Sequence, residues 1–153
     1  YELLSQVSGR AGRKTSNGEV IIQTFNPDNS YINFVKMNDY KAFYKYEMQF
    51  RKNTVYPPFC YLINILITGK DMNLVIQESN NVFNYINKNT SQDTKVYGPN
   101  MASIGKISNL YRYQVIIKYK VDKNLFGILK YLDGMYSSNK NVNLDIDINP
   151  LKV

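Results

Sequence analysis

The spacing of apolar residues in the first third of the chain is mostly helical. It predicts the end of a helix over residues 2–8 and a longer helix that begins after a capping Asp39 and runs to about Arg51. A short helix is predicted over Tyr31–Val35. The β-branched run Glu19–Phe25 predicts a strand.

The remainder of the chain alternates between strand and helix patterns. Tyr56-Pro57-Pro58-Phe59 must end the long helix, because proline disfavours the α conformation in the residue before it, so we place a domain boundary between 1–56 and 57–153. The elements predicted beyond it are a central strand at Cys60–Thr68, a helix from Met72 to Ile86, a short strand at Lys95–Tyr97, a loop or weak continuation over residues 100–110, a strand at Tyr111–Val121, a helix from Leu125 to Tyr136 and a strand at Asn143–Ile148. The order β-α-β-β-α-β predicts an α+β fold of the split, ferredoxin-like type, an antiparallel sheet with two helices on one face.

Charge and composition narrow the chemistry. The 153 residues include 19 basic and 12 acidic side chains, a net charge of +7, which favours an anionic partner, nucleic acid first and a membrane surface second. An ordinary solvated basic surface is the alternative. The chain has no histidine and one cysteine, Cys60, which excludes a histidine base, a Ser-His-Asp triad, an intrachain disulfide and a multi-cysteine zinc site within it. The first residue is Tyr1 rather than methionine, which suggests a piece of a longer protein, and no apolar run approaches the roughly 18 residues that cross a bilayer.

The octet Gln6-Val7-Ser8-Gly9-Arg10-Ala11-Gly12-Arg13 is the sharpest local motif. Its two arginines follow a helix end and are separated by small residues, so both guanidinium groups can face one anion, with phosphate oxygens as suitable acceptors. Gln6 can add a neutral hydrogen bond. A solvated basic turn is the alternative interpretation.

A second candidate site is the strand Tyr111–Val121, where basic and aromatic side chains alternate. Lysine and arginine neutralise phosphates, and exposed tyrosine stacks on bases. We therefore predict DNA binding at Lys106, Arg112, Lys118 and Lys120, against the equally weighted alternative of an ordinary solvent-facing strand with its tyrosines in the core.

Three further side chains invite chemical interpretation. Asp145 and Asp147 could be mistaken for a catalytic carboxylate pair, but they alternate with apolar residues and indicate a solvent-facing sheet edge. Cys60 adjoins an apolar strand and is expected to be a buried thiol.

The octet resembles motif VI of superfamily-two helicases, Q-x-x-G-R-x-G-R. The segments that follow it resemble, in collinear order, the C-terminal end of one helicase family, the bacterial replication-restart DNA helicase called primosomal protein N-prime. The matching segments are Gly18–Pro27, Tyr40-x-x-Phe43-Tyr44 with Glu47 and Arg51, Tyr56–Phe59, Gly98-Pro99 with Lys106 and Tyr111–Gln114, and Asp145–Leu151. The stretch from Gly98 to Arg112 departs from the family, whose members often carry more small residues and arginines there. Here it contains Asn100, Met101, Ser108 and Asn109.

The resemblance implies that the chain is the C-terminal part of an ATP-dependent 3′-to-5′ DNA helicase that restarts stalled forks, with residues 1–56 as the tail of a RecA-like motor lobe and 57–153 as a DNA-engaging domain. Arg10, Arg13 and Gln6 would be catalytic and Gly9 and Gly12 would border the nucleotide. Since the chain has no phosphate-binding loop and no Asp-Glu box, ATP and magnesium would be held by the rest of the parent protein, as would zinc, and this chain alone would be inactive. The implied partners are branched or single-stranded DNA, a single-strand-binding protein and primosome proteins, in the cytoplasm and away from membranes. A non-catalytic protein-docking module remains the alternative.

Overall fold

The computed structural model describes residues 1–9 and 19–151, which contain five helices and four strands and form two compact units, Tyr1–Thr54 and Val55 onward. The α+β class predicted from the sequence is therefore confirmed. Each unit is described by itself below.

The first unit is helical and its helices pack through aromatic side chains. Its helices are α1 (Glu2–Ser8), α2 (Ser30–Lys36) and α3 (Tyr40–Asn53). The predicted cap of α3 is confirmed, because a side-chain oxygen of Asp39 accepts a hydrogen bond from the backbone N–H of Ala42 at 2.9 Å. The Phe43 ring lies 4.7 Å from the Tyr1 ring and 6.0 Å from the Tyr31 ring, centroid to centroid, which joins the three helices.

Glu47 and Arg51 form a polar contact beside these rings. Arg51 Nε lies 2.6 Å from Glu47 Oε1, and the Tyr31 hydroxyl donates to Glu47 Oε2 at 2.7 Å. The hydrogen bond to Glu47, together with burial, raises the pKa of Tyr31 to about 12. Glu47 therefore ties α2 to α3.

The strand predicted at Glu19–Phe25 is wrong: these residues have no regular secondary structure. A strand needs a neighbour that pairs with its backbone N–H and C=O groups, and none of the described residues supplies one. Ile21 and Phe25 are consequently exposed, at 85% and 110% of their reference areas. The β-branched composition alone did not decide the backbone conformation.

The second unit is a four-stranded antiparallel sheet with two helices. Its elements are β1 (Tyr61–Gly69), α4 (Met72–Asn89), β2 (Lys95–Ile107), β3 (Leu110–Tyr119), α5 (Leu125–Tyr136) and β4 (Val142–Ile148). The strands lie in the order β2-β3-β1-β4, so β1 is internal, as its two-sided apolar sequence predicts.

Both helices cover the same face of this sheet and form one core with it. The strands contribute alternate residues to that core, and α4 and α5 contribute residues at helical spacing. Its buried members are Ile63, Ile65, Ile67, Val75, Val82, Ile86, Val115, Ile117, Tyr119, Leu125, Ile128, Leu129, Leu132, Tyr136, Val142 and Leu144. The opposite face of the sheet, called the open face below, has no helix packed on it within the unit.

Strand β2 is longer than the predicted Lys95–Tyr97 and includes most of residues 100–110, for which the sequence left a loop or a weak continuation open. Register shifts at Tyr97/Asn100 and Met101/Lys106 let the strand continue past the Gly98-Pro99 dipeptide. Gly98 has φ of +108°, and a Cβ there would lie 2.8 Å from the Gln114 carbonyl oxygen, so only glycine fits. Ser108 and Asn109, at φ 49° and 63°, then form a two-residue turn into β3.

Candidate nucleic-acid interface

The open face carries rows of side chains that the antiparallel register sets side by side. One row contains Lys95, Lys118 and Leu62, on β2, β3 and β1. The next contains Tyr97, Ile116, Asn64 and Asp147, across all four strands. Two further rows contain Asn100, Gln114, Leu66 and Asp145, and then Arg112, Thr68 and Asn143.

Charge is divided across this face by strand. The cations Lys95, Lys118 and Arg112 lie on β2 and β3, whereas the exposed carboxylates Asp145 and Asp147 lie on the edge strand β4. Two strand spacings, about 10 Å, separate β3 from β4, which is close to the Debye length of about 8 Å at physiological salt. The β2–β3 half is therefore attractive to phosphates, while β4 repels them. The predicted solvent exposure of Asp145 and Asp147 is confirmed.

Lys118 is held between two tyrosine rings. Its ammonium nitrogen lies 3.8 Å from the centroid of the Tyr56 ring and 5.5 Å from that of the Tyr97 ring. Such cation–π contacts stabilise the ammonium group, which offsets the like charge of Lys95, the residue directly opposite on β2. Lys95 in turn donates from Nζ to the Gln92 carbonyl oxygen at 3.1 Å.

Lys120 is exposed just beyond the end of β3, near Lys118 and Cys60. The thiol of Cys60 is buried, as predicted, and donates to the Val55 carbonyl oxygen at 3.2 Å. Burial raises the pKa of Cys60, and the charges of Lys118 and Lys120 offset part of that increase. One end of the sheet thus carries three cations, at positions 95, 118 and 120.

The other two predicted DNA-binding residues lie at the opposite end of β3. Arg112 is six residues from Lys118, about 20 Å along the strand. It donates from Nη1 to the Ile104 carbonyl oxygen at 3.2 Å. Lys106 lies opposite Tyr111 in the ladder, with Nζ 4.5 Å from that ring, so it projects from the other face of the hairpin. The structure brings Lys118 and Lys120 together and separates both from Lys106 and Arg112.

The Asp122 carboxylate fixes the basic end of the sheet. Its Oδ2 accepts from the Ser91 backbone N–H at 2.9 Å and from the Thr94 hydroxyl at 2.7 Å, and its Oδ1 accepts from the Asn124 backbone N–H at 3.0 Å. Burial raises the pKa of Asp122, but these hydrogen bonds outweigh it and hold the pKa below its ordinary value. Asp122 follows β3 and Thr94 precedes β2, so the network joins the strand ends that carry Lys118 and Lys95.

The arginine motif is only partly within the described residues. Gln6 and Gly9 are exposed, in α1 and at its C-terminal end. Arg10, Gly12 and Arg13 lie outside the described residues. Within residues 1–9 and 19–151, no three His, Cys, Asp or Glu side chains are grouped to hold a metal ion. No helix in the same ranges is long and apolar enough to cross a membrane.

Three residues of this surface were not among those predicted: Lys95, Tyr97 and Tyr56. The alternation Lys95-Val96-Tyr97 could have placed the first and third on one face, opposite the apolar Val96. Tyr56 carried no such signal, because its contact with Lys118 depends on how the segment before β1 folds back on the sheet.

Comparison with known proteins gives consistent matches along the chain. Residues 52–151 match the family described as the primosomal protein N C-terminal domain. The replication restart protein PriA of Bacillus subtilis is 37% identical over 153 residues, covering 98% of this chain and 19% of that protein. The PriA proteins of Chlamydia muridarum and Synechocystis sp. are 34% and 33% identical, covering 99% and 100% of this chain and 20% and 18% of theirs. The chain therefore spans about a fifth of the length of these relatives.

Proposed function

Because this chain belongs to the primosomal protein N C-terminal domain family, we propose that its second unit binds DNA during replication restart, through the basic β2–β3 half of its open face. The one observation that carries this proposal is the division of charge, with Lys95, Lys118 and Arg112 on β2 and β3 and both aspartates on β4. A strand of nucleic acid would follow β2 and β3 rather than cross the sheet toward β4.

The contact would be mainly electrostatic. Lysine and arginine that neutralise phosphates release counterions, so the affinity falls as salt rises, with a slope of roughly 0.7 per phosphate on single strands. Helices α4 and α5 pack on the other face of the sheet and do not present a reading helix beside these cations. Binding should therefore depend only loosely on base sequence.

The second unit also supports a ferredoxin-like assignment. Its elements follow the order β-α-β-β-α-β, the sheet order is β2-β3-β1-β4, and both helices contribute to one core on one face. This arrangement leaves the other face available to a ligand. Since the fold hosts many functions, the charges on that face, rather than the fold, support DNA binding.

For the longer protein that these relatives represent, we propose ATP-dependent 3′-to-5′ DNA unwinding, with ATP, magnesium and zinc held outside this chain. The motif Gln6–Arg13 supports a role in which Arg10 and Arg13 stabilise charge on the transferred phosphate. Arg10→Ala or Arg13→Ala in that longer protein should lower ATP turnover on the order of 10³-fold while DNA affinity is retained. An equal loss of DNA affinity would contradict the assignment.

Fluorescence anisotropy with a labelled single strand and a labelled fork, each at two salt concentrations, tests the DNA proposal. The wild-type chain should bind both probes and release them as salt rises. Lys120→Glu should weaken binding, whereas Lys130→Glu, the same charge change on an exposed position of α5, should not. If neither DNA binds at low salt, the alternative takes its place: a module that docks a single-strand-binding protein or a primosome protein.

A further inference from the structure

Resting on the proposed DNA contact, we propose that Tyr97 and the pocket beside it bind one unpaired nucleobase, so that the site selects single-stranded over fully paired nucleic acid. Tyr97 lies on the edge strand β2 and is 47% exposed. It shares its row of the open face with Ile116 and is therefore on the face that carries the cations. An exposed phenol ring beside lysines matches the way single strands are bound, with bases on aromatic rings and phosphates on cations.

A cation–π contact with Lys118 orients the Tyr97 ring. The Lys118 ammonium group lies 5.5 Å from the ring centroid and is itself fixed 3.8 Å from the Tyr56 ring. A ring that is already ordered loses less conformational entropy when a base stacks on it. The same ammonium group raises the local positive potential, which attracts the phosphate attached to that base.

A pocket of about 280 Å³ adjoins Tyr97, between the end of α4, the loop that follows it and the start of β2. Its volume lies just under the range of roughly 300–1,000 Å³ that receives drug-sized ligands, so it suits a single ring system better than a whole nucleotide. Asn87 and Gln92, which carry side-chain amides, and Ser91 are among the residues that line it. Amides offer both donors and acceptors, which is what the edge of a nucleobase requires.

A nucleobase that is paired in a duplex would not be available to the proposed site. A base within a duplex is stacked between its neighbours and has its pairing edge occupied, so it enters the pocket only after it is unpaired. The proposed site would therefore favour gaps, tails and the single-stranded arms of a fork, while the phosphate contacts alone would tolerate a duplex.

The test compares two labelled strands of equal length and charge in the anisotropy assay, one of thymidine and one of abasic phosphodiester. Tyr97→Ala should weaken binding of the thymidine strand on the order of tenfold, the effect of losing one base stack, and leave the abasic strand unchanged. Tyr97→Phe should bind like the wild type because it keeps the ring. Tyr131→Ala removes a tyrosine of similar exposure, 54% against 47%, from α5 and should change neither affinity.

Tyr97→Leu provides a second variant that keeps an apolar side chain on the edge strand but removes the aromatic ring, and it should reproduce the loss seen for alanine. If the alanine and leucine variants bind thymidine as the wild type does, or lose affinity equally for both strands, the base site is refuted while salt-sensitive DNA binding stands. If the wild type binds neither strand at low salt, the base site and the proposed function are both refuted.

Discussion

Removing the Asp122 carboxylate should destabilise the second unit more than any other single charge deletion at the basic end of its sheet. Asp122 is 9% exposed and accepts three hydrogen bonds, from Ser91, Thr94 and Asn124. A hydrogen bond to a charged group contributes roughly 1.5–3 kcal/mol, but the freed donors regain some hydration when the carboxylate is lost. We therefore expect Asp122→Ala to lower the free energy of unfolding by about 3 kcal/mol, a large part of the 5–15 kcal/mol typical of a domain.

The stability lost in Asp122→Ala should depend on pH in a definite direction. The pKa of Asp122 is lower in the folded protein than its ordinary value, so ionised Asp122 stabilises the fold at neutral pH. That contribution is complete above the unfolded pKa of about 3.9 and declines as the pH falls toward and through the folded pKa. The difference in stability between the wild type and Asp122→Ala should consequently narrow in acid.

Urea denaturation followed by far-UV circular dichroism, at pH 7 and at a pH below the ordinary aspartate pKa, measures both effects. Asp122→Asn retains one acceptor oxygen and should lie between the wild type and Asp122→Ala. Asp145→Ala is the control, because Asp145 is exposed on β4, and it should change stability by less than about 0.5 kcal/mol. A loss at Asp122 no larger than that of the control, or one unaffected by acid, would refute the proposed network.

Three further comparisons test separate features of the second unit. Lys120→Glu should leave the urea midpoint unchanged. Lys118→Glu should lower the free energy of unfolding by about 1 kcal/mol, because its cation–π contacts are lost. Equal midpoints for the two variants would argue against those contacts. Gly98→Ala should lower the free energy of unfolding by at least about 1–3 kcal/mol in the same titration, because the new Cβ lies 2.8 Å from a carbonyl oxygen of β3 and φ is +108°. Gly127→Ala, which has open space around it, should not destabilise the protein. A Gly98→Ala variant as stable as the wild type would contradict the described backbone. Cys60, buried and with a raised pKa, should react with a disulfide reagent far more slowly in native than in denatured protein, and equal rates would show that the thiol is exposed.

The helices and strands that pack on their own neighbours were predictable from the sequence. The stripes of α4 and α5 and the alternation of β3 and β4 directly reflect which side chains enter the core. Glu19–Phe25 shows the limit, because its composition favours a strand but a strand also depends on a pairing partner. The sequence left the length of β2 open, because Gly98-Pro99 by itself indicates the end of a strand. Two register shifts let the strand continue past that dipeptide.

The candidate site was predictable only in part. Lys118 and Lys120 follow from alternation along β3, whereas their separation from Lys106 required the hairpin register. The contact of Lys118 with Tyr56 joins residues 62 positions apart in the chain, and no local pattern indicates it. The placement of candidate residues along a single strand was therefore predictable, and contributions from neighbouring segments were not.

Chemical-shift mapping tests the central claim most directly. Titration of the isotope-labelled chain with an unlabelled single strand at low salt should shift the amide signals along β2 and β3, with the largest changes near Lys95, Tyr97, Lys118 and Lys120, and the shifts should disappear as salt is added. The exposed sides of α5 and of the N-terminal half of α4, and the acidic strand β4, should be unaffected. Shifts centred on those helices or on β4, or no shifts at all, would contradict a DNA interface on the basic half of the open face.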